Sequence, residues 1–472
     1  MTWETVIGLE THVELSTAQK LFCRCPAAFG APPNTQCCGV CTGLPGALPV
    51  LNAQAVEYAV KAALALGCTV ARRFTFDRKH YFYPDLPKGY QITQLRTPIG
   101  RDGAVTLPGG RAVHIAELHL EEDAGKLKRG DDGAVRCDYN RCGVPLIEIV
   151  TAPDFSSAEE VVAYLEALRA TLQYLGVSDC KMQEGSLRCD VNLSLRPAGS
   201  RALGTRTELK NLASLKAIAQ AIKHESARQA AVLEHGGAVT RETRRWSEDE
   251  GRSCAARSKE DALDYRYLPE PDLPPAALSE AYIAALAARQ PELPGQRRAR
   301  YQTAYGLGEY DAEMLTSQKA LADFFEETVA LGAPPKQCAN WVLGEVLRAL
   351  SARGLEAAAL PLSPRTLARL IGLVETGGLN RNTAAVVFDA VFDSSADVDE
   401  YVRAHALEQI GDTDLIGRAA EEALAANPKS VADYRAGKEK ALGFLVGQVM
   451  RSLGGKADPH AVNRAVRERL ER

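Results

Sequence analysis

Leu187–Leu209, LRCDVNLSLRPAGSRALGTRTEL, decides how the rest of the chain is read, because it spells two strands joined by a Pro/Gly/Ser turn. In the first strand Leu187, Cys189, Val191, Leu193 and Leu195 share one face, and Arg188, Asp190, Asn192 and Ser194 share the other. In the second, Thr205, Thr207 and Leu209 lie opposite Arg206, Glu208 and Lys210. Pairing the two gathers both signs of charge on one sheet surface, which is either a solvated outer face or part of a site. Matching faces on other strands would favour the site.

Such faces recur upstream. At the start of the chain Thr5, Ile7, Leu9, Thr11, Val13 and Leu15 alternate with Val6, Gly8, Glu10, His12 and Glu14. A carboxylate and an imidazole two apart on a strand stand roughly 6 to 7 Å apart, within reach of one divalent cation or of an ordinary surface hydrogen bond. In AELHLEEDAGKL, His119, Glu121 and Asp123 share a parity that Glu122 does not. Acidic groups so crowded repel unless a cation or a basic partner compensates them. Glu148 interrupts the apolar run Val144, Leu146, Ile147, Ile149 and Val150, so it needs a salt bridge, a metal or a substrate amine.

Between these strands lies CRCPAAFGAPPNTQCCGVC, residues 23–41. The CxC and CxxC spacing across a Pro/Gly loop predicts a tetrahedral zinc site at Cys23, Cys25, Cys38 and Cys41, with Cys37 able to replace Cys38 by a one-residue shift. Four thiolates leave no open position, so the site is expected to be structural. Downstream, FTFDRKHYFYPDLPKGYQITQ interleaves Phe76, Tyr81, Phe82, Tyr83 and Tyr90 with Arg78, Lys79, His80 and Lys88. Such a loop either stacks on nucleotide bases or packs on its own rings.

Helices are predicted over 50–67, over Ser157–Leu175 with a Ser157/Glu160 capping box, and over Leu215–Leu233. A polar stretch with Arg241, Arg244, Arg245, Arg257, Lys259 and Arg266 follows and closes in Pro269–Pro275, the expected domain boundary. Beyond it, periodic Ala and Leu predict short helices to about Ser394 and a small helical tail domain over 395–472. Lys438, Lys440, Arg451 and Lys456 in that tail belong either to a solvated face or to an RNA-backbone contact.

The 472 residues exceed what one core serves, and 46% hydrophobic with 25% charged residues describe an ordinary globular protein. A net charge of −4 gives no global field for a polyanion, so nucleic-acid contact must be local. The opening MTWETVIGLE has no basic or apolar leader pattern and no run approaches eighteen apolar residues, so a cytoplasmic protein with thiol or metal-bound cysteines is expected. No GxxxxGK[ST], GxGxxG after a strand, or GxSxG occurs. The residues by themselves point to a metal-dependent enzyme acting on a phosphate-bearing or RNA-linked substrate.

GLETHVEL, FDRKHYFYPDLPKGYQITQ, HLEEDAGKL, DYNRCGVPLIEIVTAPD, EGSLRCDVNLSLRP, RSKEDALDYRYLPEPDLPP and KALGFLVGQVM resemble the B subunits of the aspartyl/glutamyl-tRNA(Asn/Gln) amidotransferases, and the resemblance runs the length of the chain. It implies an α+β protein: a cradle-like catalytic domain with a mixed or antiparallel sheet over 1–275, an all-α domain over 276–394, and the tail domain over 395–472 gripping tRNA. It also implies ATP-dependent phosphorylation of the side-chain carboxylate of Glu-tRNA(Gln) or Asp-tRNA(Asn), using Mg2+. Ammonia from a glutaminase A subunit, assembled with a small C subunit, would then displace the phosphate. The matching motifs carry over Glu10, His12, Glu121, Glu122, Glu148, Asp190 and Glu208 as catalytic, with Mg2+ at Glu10, His12, Glu121, Glu148 and Asp190. Lys79, Arg188, Arg206 and Lys210 are added as phosphate contacts because they share these strands and loops. The chain departs from the family pattern at Gly39, where proline is usual, and at Cys142, where alanine is common. A protein that only binds tRNA and scaffolds the amidase is the competing expectation.

Overall fold

The computed structural model describes residues 2–107, 110–258, 265–394, 396–408 and 413–471. Its principal sheet has nine strands, numbered here in chain order: β1 Trp3–Glu14, β2 Thr69–Val70, β3 Gly100–Thr106, β4 Ala112–Glu122, β5 Pro145–Thr151, β6 Leu187–Pro197, β7 Thr207–Lys210, β8 Glu242–Ser247 and β9 Arg252–Ser258. Their spatial order is β9-β8-β7-β6-β1-β5-β4-β3-β2. Every neighbouring pair is antiparallel except β7 with β8, which are parallel because a helix crosses between them. The fold is therefore α+β with a mixed sheet.

Period-2 alternation gives the sheet two unlike faces. Ile7, Leu9 and Val13 of β1, Leu118 and Leu120 of β4, Ile147 and Ile149 of β5, Val191 and Leu193 of β6 and Leu209 of β7 are all buried in one core. Three helices cover that face: α1 Ala53–Ala65, α2 Ala158–Tyr174 and α3 Leu215–Glu234, which contribute Val60, Leu168 and Ile218 to it. Each begins on a side-chain cap. Asn52 accepts from Gln54 and Ala55 N–H, Ser157 from Glu160 N–H, and Ser214 from Ala217 N–H. The reciprocal half of the predicted capping box differs: the Glu160 carboxylate accepts from the N–H and hydroxyl of Ser156, one residue earlier.

The first compact unit ends at Pro294, not at the Pro-rich stretch. Arg78 clamps that stretch with a bidentate pair to buried Glu270 (2.7 and 2.9 Å) and a 3.0 Å contact to Asp272. Ala276–Ala277 then pairs with Arg73–Phe74, so the prolines rim the first unit instead of linking two. The second strand of the opening hairpin begins only at Thr207, which leaves Thr205 and Arg206 outside it and exposed. Lys259, expected among the basic residues there, lies outside the described residues, as does the side chain of Arg257.

The second unit, Gly295–Arg472, is helical among its described residues. Within it Thr413–Ala426, Lys440–Ser452 and Pro459–Leu470 share a separate small core of Ala420, Leu445, Val449, Val462 and Val466. No described helix is long and apolar enough to cross a membrane.

Candidate active site and metal centre

The face of the sheet turned away from α1–α3 holds the chemistry. Register sets His12 of β1 between Glu148 of β5 and Arg188 of β6, and sets Glu10 beside Asp190. On the flanks Glu148 faces His119 across β4, and Asn192 faces Glu208 across β7. Residues far apart in sequence therefore converge because antiparallel partners share side-chain direction.

Two groups of ligand-type atoms result. His12, Glu121 and Glu148 form one, Glu10, Asp190 and Glu208 the other, and in each the ligand atoms lie within 4.8 Å of one another. In the first, His12 Nε2 stands 3.7 Å from Glu121 Oε1 and 3.9 Å from Glu148 Oε1. The Thr93 hydroxyl donates to Glu121 Oε2 at 2.8 Å. In the second, Asn192 Nδ2 donates to Glu10 Oε1 at 2.9 Å, and the Thr243 hydroxyl to Glu208 Oε2 at 2.7 Å. Lys210 Nζ bridges Asp190 (2.5 Å) and Glu208 (3.1 Å). The single set of metal ligands expected from sequence is thus two sets side by side, with Glu10 and Asp190 in one and His12, Glu121 and Glu148 in the other.

Electrostatics couples the two groups. Burial pushes Glu121 up to about 7, with the neighbouring Glu148 charge adding, and burial with Glu10 does the same to Glu148. Burial, reinforced by Arg188, takes His12 down to about 3, so the imidazole is neutral and free to ligate. Burial also raises Asp190, against the pull of Lys210. Burial would lower Lys79 and Lys210, but Glu121 together with Tyr267 and Glu148 outweighs it at Lys79, and Asp190 with Glu208 outweighs it at Lys210, so both stay charged. Carboxylates with one imidazole, desolvated and mutually repelling, form a donor set that suits a hard divalent cation such as Mg2+.

Two expected site residues, Glu122 and Arg206, lie elsewhere, and Arg188 is taken up by another partner. Glu122 has the opposite parity to Glu121, ion-pairs with Lys88 and accepts from Ile92 N–H at 2.9 Å, lining a cavity with Cys23, Cys41 and Tyr90. Arg188 is on the face but donates to Asp123 Oδ2 at 2.7 Å, which Arg141 also approaches at 3.3 Å. Arg206 is exposed and outside its strand. Sequence reasoning missed Thr93 and Thr243 as carboxylate anchors, and it missed Glu14. Glu14 shares the parity of Glu10 and His12, the one signal that marked it, and is pushed up to about 8 by burial and then by Asp123.

The thiol loop closes as its spacing predicts: the sulfurs of Cys23, Cys25, Cys38 and Cys41 lie within 4.8 Å of one another. Zinc at about 2.3 Å from each sulfur requires separations of about 3.8 Å, so the set fits with small adjustments. Gly39 does not open the turn. Cys38 N–H donates to Cys41 Sγ at 3.1 Å, and Leu44 N–H to the Gly39 carbonyl at 2.8 Å. Cys37 points elsewhere, its thiol donating to the Asn34 carbonyl at 3.2 Å.

In the tail, Lys440 and Arg451 are exposed on the helix Lys440–Ser452. Lys438 pairs with Asp433 at 2.9 Å, and Lys456 donates to the Ala406 carbonyl at 2.6 Å.

A sheet face that gathers two carboxylate-rich groups of ligand-type atoms, with Lys210 bridging Asp190 and Glu208 and a four-thiol knuckle apart from them, is the layout of a catalytic domain, here followed in the chain by a helical unit. Residues 5–284 match the family described as the GatB/GatE catalytic domain, and residues 323–470 match the GatB domain. The chain is 52% identical over 480 residues to the B subunit of the aspartyl/glutamyl-tRNA(Asn/Gln) amidotransferase of Lachnospira eligens, covering 99% of both chains. Proteins of the same name from Caldicellulosiruptor saccharolyticus and Moorella thermoacetica are 51% and 50% identical, with 100% of both chains covered in each case. The chain belongs to the GatB/GatE family.

Proposed function

We propose that this chain is the B subunit of a tRNA-dependent amidotransferase, working with a glutaminase A subunit and a small C subunit. On this reading it phosphorylates the side-chain carboxylate of Glu-tRNA(Gln) or Asp-tRNA(Asn) with ATP, and ammonia then displaces the phosphate to give the amide. The pairing of His12, Glu121 and Glu148 with Glu10, Asp190 and Glu208 on one sheet face carries this reading.

A carboxylate is a poor electrophile, and its approach to a polyphosphate sets two anions against each other. In the first step a carboxylate oxygen takes the terminal phosphoryl group and ADP leaves. In the second, ammonia attacks the acyl carbon, phosphate leaves, and a proton is lost from nitrogen. Lys79 and Lys210, both held charged, stand where negative charge gathers. His12 stays neutral and so does not waste a donor on its own protonation. Mg2+ held by the two groups would supply charge neutralisation and Lewis acidity. The acyl phosphate hydrolyses readily, which explains why the reacting face is half-buried and why ammonia is best delivered directly from the partner. Zn2+ at Cys23, Cys25, Cys38 and Cys41 would hold the loop shut. Lys438, Lys440, Arg451 and Lys456 would contact the tRNA backbone from the tail domain. None of the twelve cysteines is in a disulfide, in keeping with a cytoplasmic setting.

Asp190→Asn and His12→Ala test the reading in the assembled three-subunit enzyme. Both are expected to abolish ATP-dependent phosphorylation of Glu-tRNA(Gln) while tRNA binding and glutaminase activity persist. Phosphorylation surviving either change would leave the chain a tRNA-binding scaffold.

A further inference from the structure

We infer that Lys20 is the buried counter-charge of the four-cysteine metal centre. The inference rests on the zinc reading of those cysteines. Lys20 follows β1 at the root of the thiol loop, where its N–H donates to the Cys25 carbonyl at 3.0 Å. Its side chain is wholly buried, at 0% exposure, among the most deeply buried side chains of the protein. Its ammonium reaches two acceptors: Cys41 Sγ at 3.6 Å and the Tyr139 carbonyl at 3.4 Å. Among the described residues no carboxylate comes within ion-pair distance of it. A lysine ammonium is rarely sealed from water without an anion beside it, because desolvation then goes uncompensated.

The missing anion is the metal-bound thiolate. Four thiolates on a divalent cation carry a net charge of −2, and such a buried anion needs donors around its sulfurs. Cys41 has two, the Cys38 N–H at 3.1 Å and Lys20. Lys20 is also pinned in place. Leu21 N–H donates to the Gly143 carbonyl at 2.8 Å, and Gly143 packs beside the lysine stem, where an added Cβ would make ordinary contact with Lys20 Cδ at 3.6 Å. The ammonium is therefore held out of solvent beside the Cys41 sulfur.

Lys20→Met, which keeps the length and removes the charge, tests this in the full complex. Chelator competition should show zinc at least 10-fold more weakly held, the range found when partners of metal ligands are removed. Cobalt loaded in place of zinc should keep its four-thiolate absorption, since no ligand is lost. The melting temperature should fall for the zinc-loaded protein and rise for the metal-stripped one, where the change removes an unpaired buried charge. Wild-type zinc affinity, or equal destabilisation with and without metal, would reduce Lys20 to a partner of the Tyr139 carbonyl and overturn the inference. If Lys20→Met does not accumulate, amine acylation of the wild type read by mass spectrometry decides. Lys20 should be labelled only after zinc is stripped, and labelling that ignores the metal would refute its role. A wild-type protein that takes up neither zinc nor cobalt at the cysteines would overturn the zinc reading itself.

Discussion

Glu121 and Glu148 are carboxylates kept where charge is costly: burial raises both, the Glu148 charge adds to it at Glu121, and the Glu10 charge adds to it at Glu148. Both are raised to about 7, chiefly by burial, so in the metal-free protein they lose stability as pH rises from about 4.5 through 7. The sign is that of a raised acid: the folded state holds protons the unfolded chain has released. Glu148→Gln removes one of the two charges, and at pH 8 without metal it should stabilise the protein by about 1–2 kcal/mol, seen as a higher melting temperature in chelator. The same change should lower kcat by at least about 10²-fold, because a group that helps hold the cation is gone. A variant that is both more stable and inactive would mark Glu148 as a functional residue, whereas a structural ion pair would lose stability.

At the scale of elements, the β6–β7 hairpin positions three of the site's charges, and its turn is tightly built. A Cβ added at Gly204 would run into the carbonyl oxygen of Leu195, so Gly204→Ala must part the strands. The expected cost is about 2–4 kcal/mol by thermal unfolding, with activity falling further than stability explains, since Glu208 and Lys210 shift against Asp190. In the helical unit, burial would raise Glu326, but Arg297 and Arg300 outweigh it and hold it at about 2. That pairing stabilises fully above pH 4.5 and fades as pH falls toward 2. Glu326→Gln should therefore flatten the acid limb of the unfolding profile by about 1–2 kcal/mol and leave neutral-pH activity intact. Alternation, apolar runs and one cap made most of these elements legible from sequence: strands through Glu10 and His12, through Glu148 and through Asp190, the helix capped at Ser157, and helices over 50–67 and Leu215–Leu233, whose caps at Asn52 and Ser214 only the structure shows. Parity alone set Glu121 apart from Glu122. Composition misled where a tertiary contact overrode it, as when Arg78 fastened the proline stretch to the first unit. What no local pattern carries is which strands become neighbours, and that decides whether six ligands make one site or two.

For the whole molecule, two units with separate cores predict separate responses. The tail core of Leu445, Val449, Val462 and Val466 lies in the second unit, while the acidic face belongs wholly to the first. Backbone contact with a polyanion is driven by counterion release, so its strength is read from salt dependence and not from one affinity. If Lys440 and Arg451 touch tRNA phosphates from the tail, Lys440→Glu should raise KM for the aminoacylated tRNA several-fold. It should also reduce the slope of log affinity against log salt by about one, and leave kcat unchanged. Asp190→Asn should do the reverse, abolishing turnover at unchanged salt slope. The double variant should then show the binding defect of one and the chemical defect of the other without synergy, since sites this independent are additive. Coupling between them would mean that the tail does more than hold the tRNA, and that seating it helps assemble the reacting face around Glu10, His12 and Asp190.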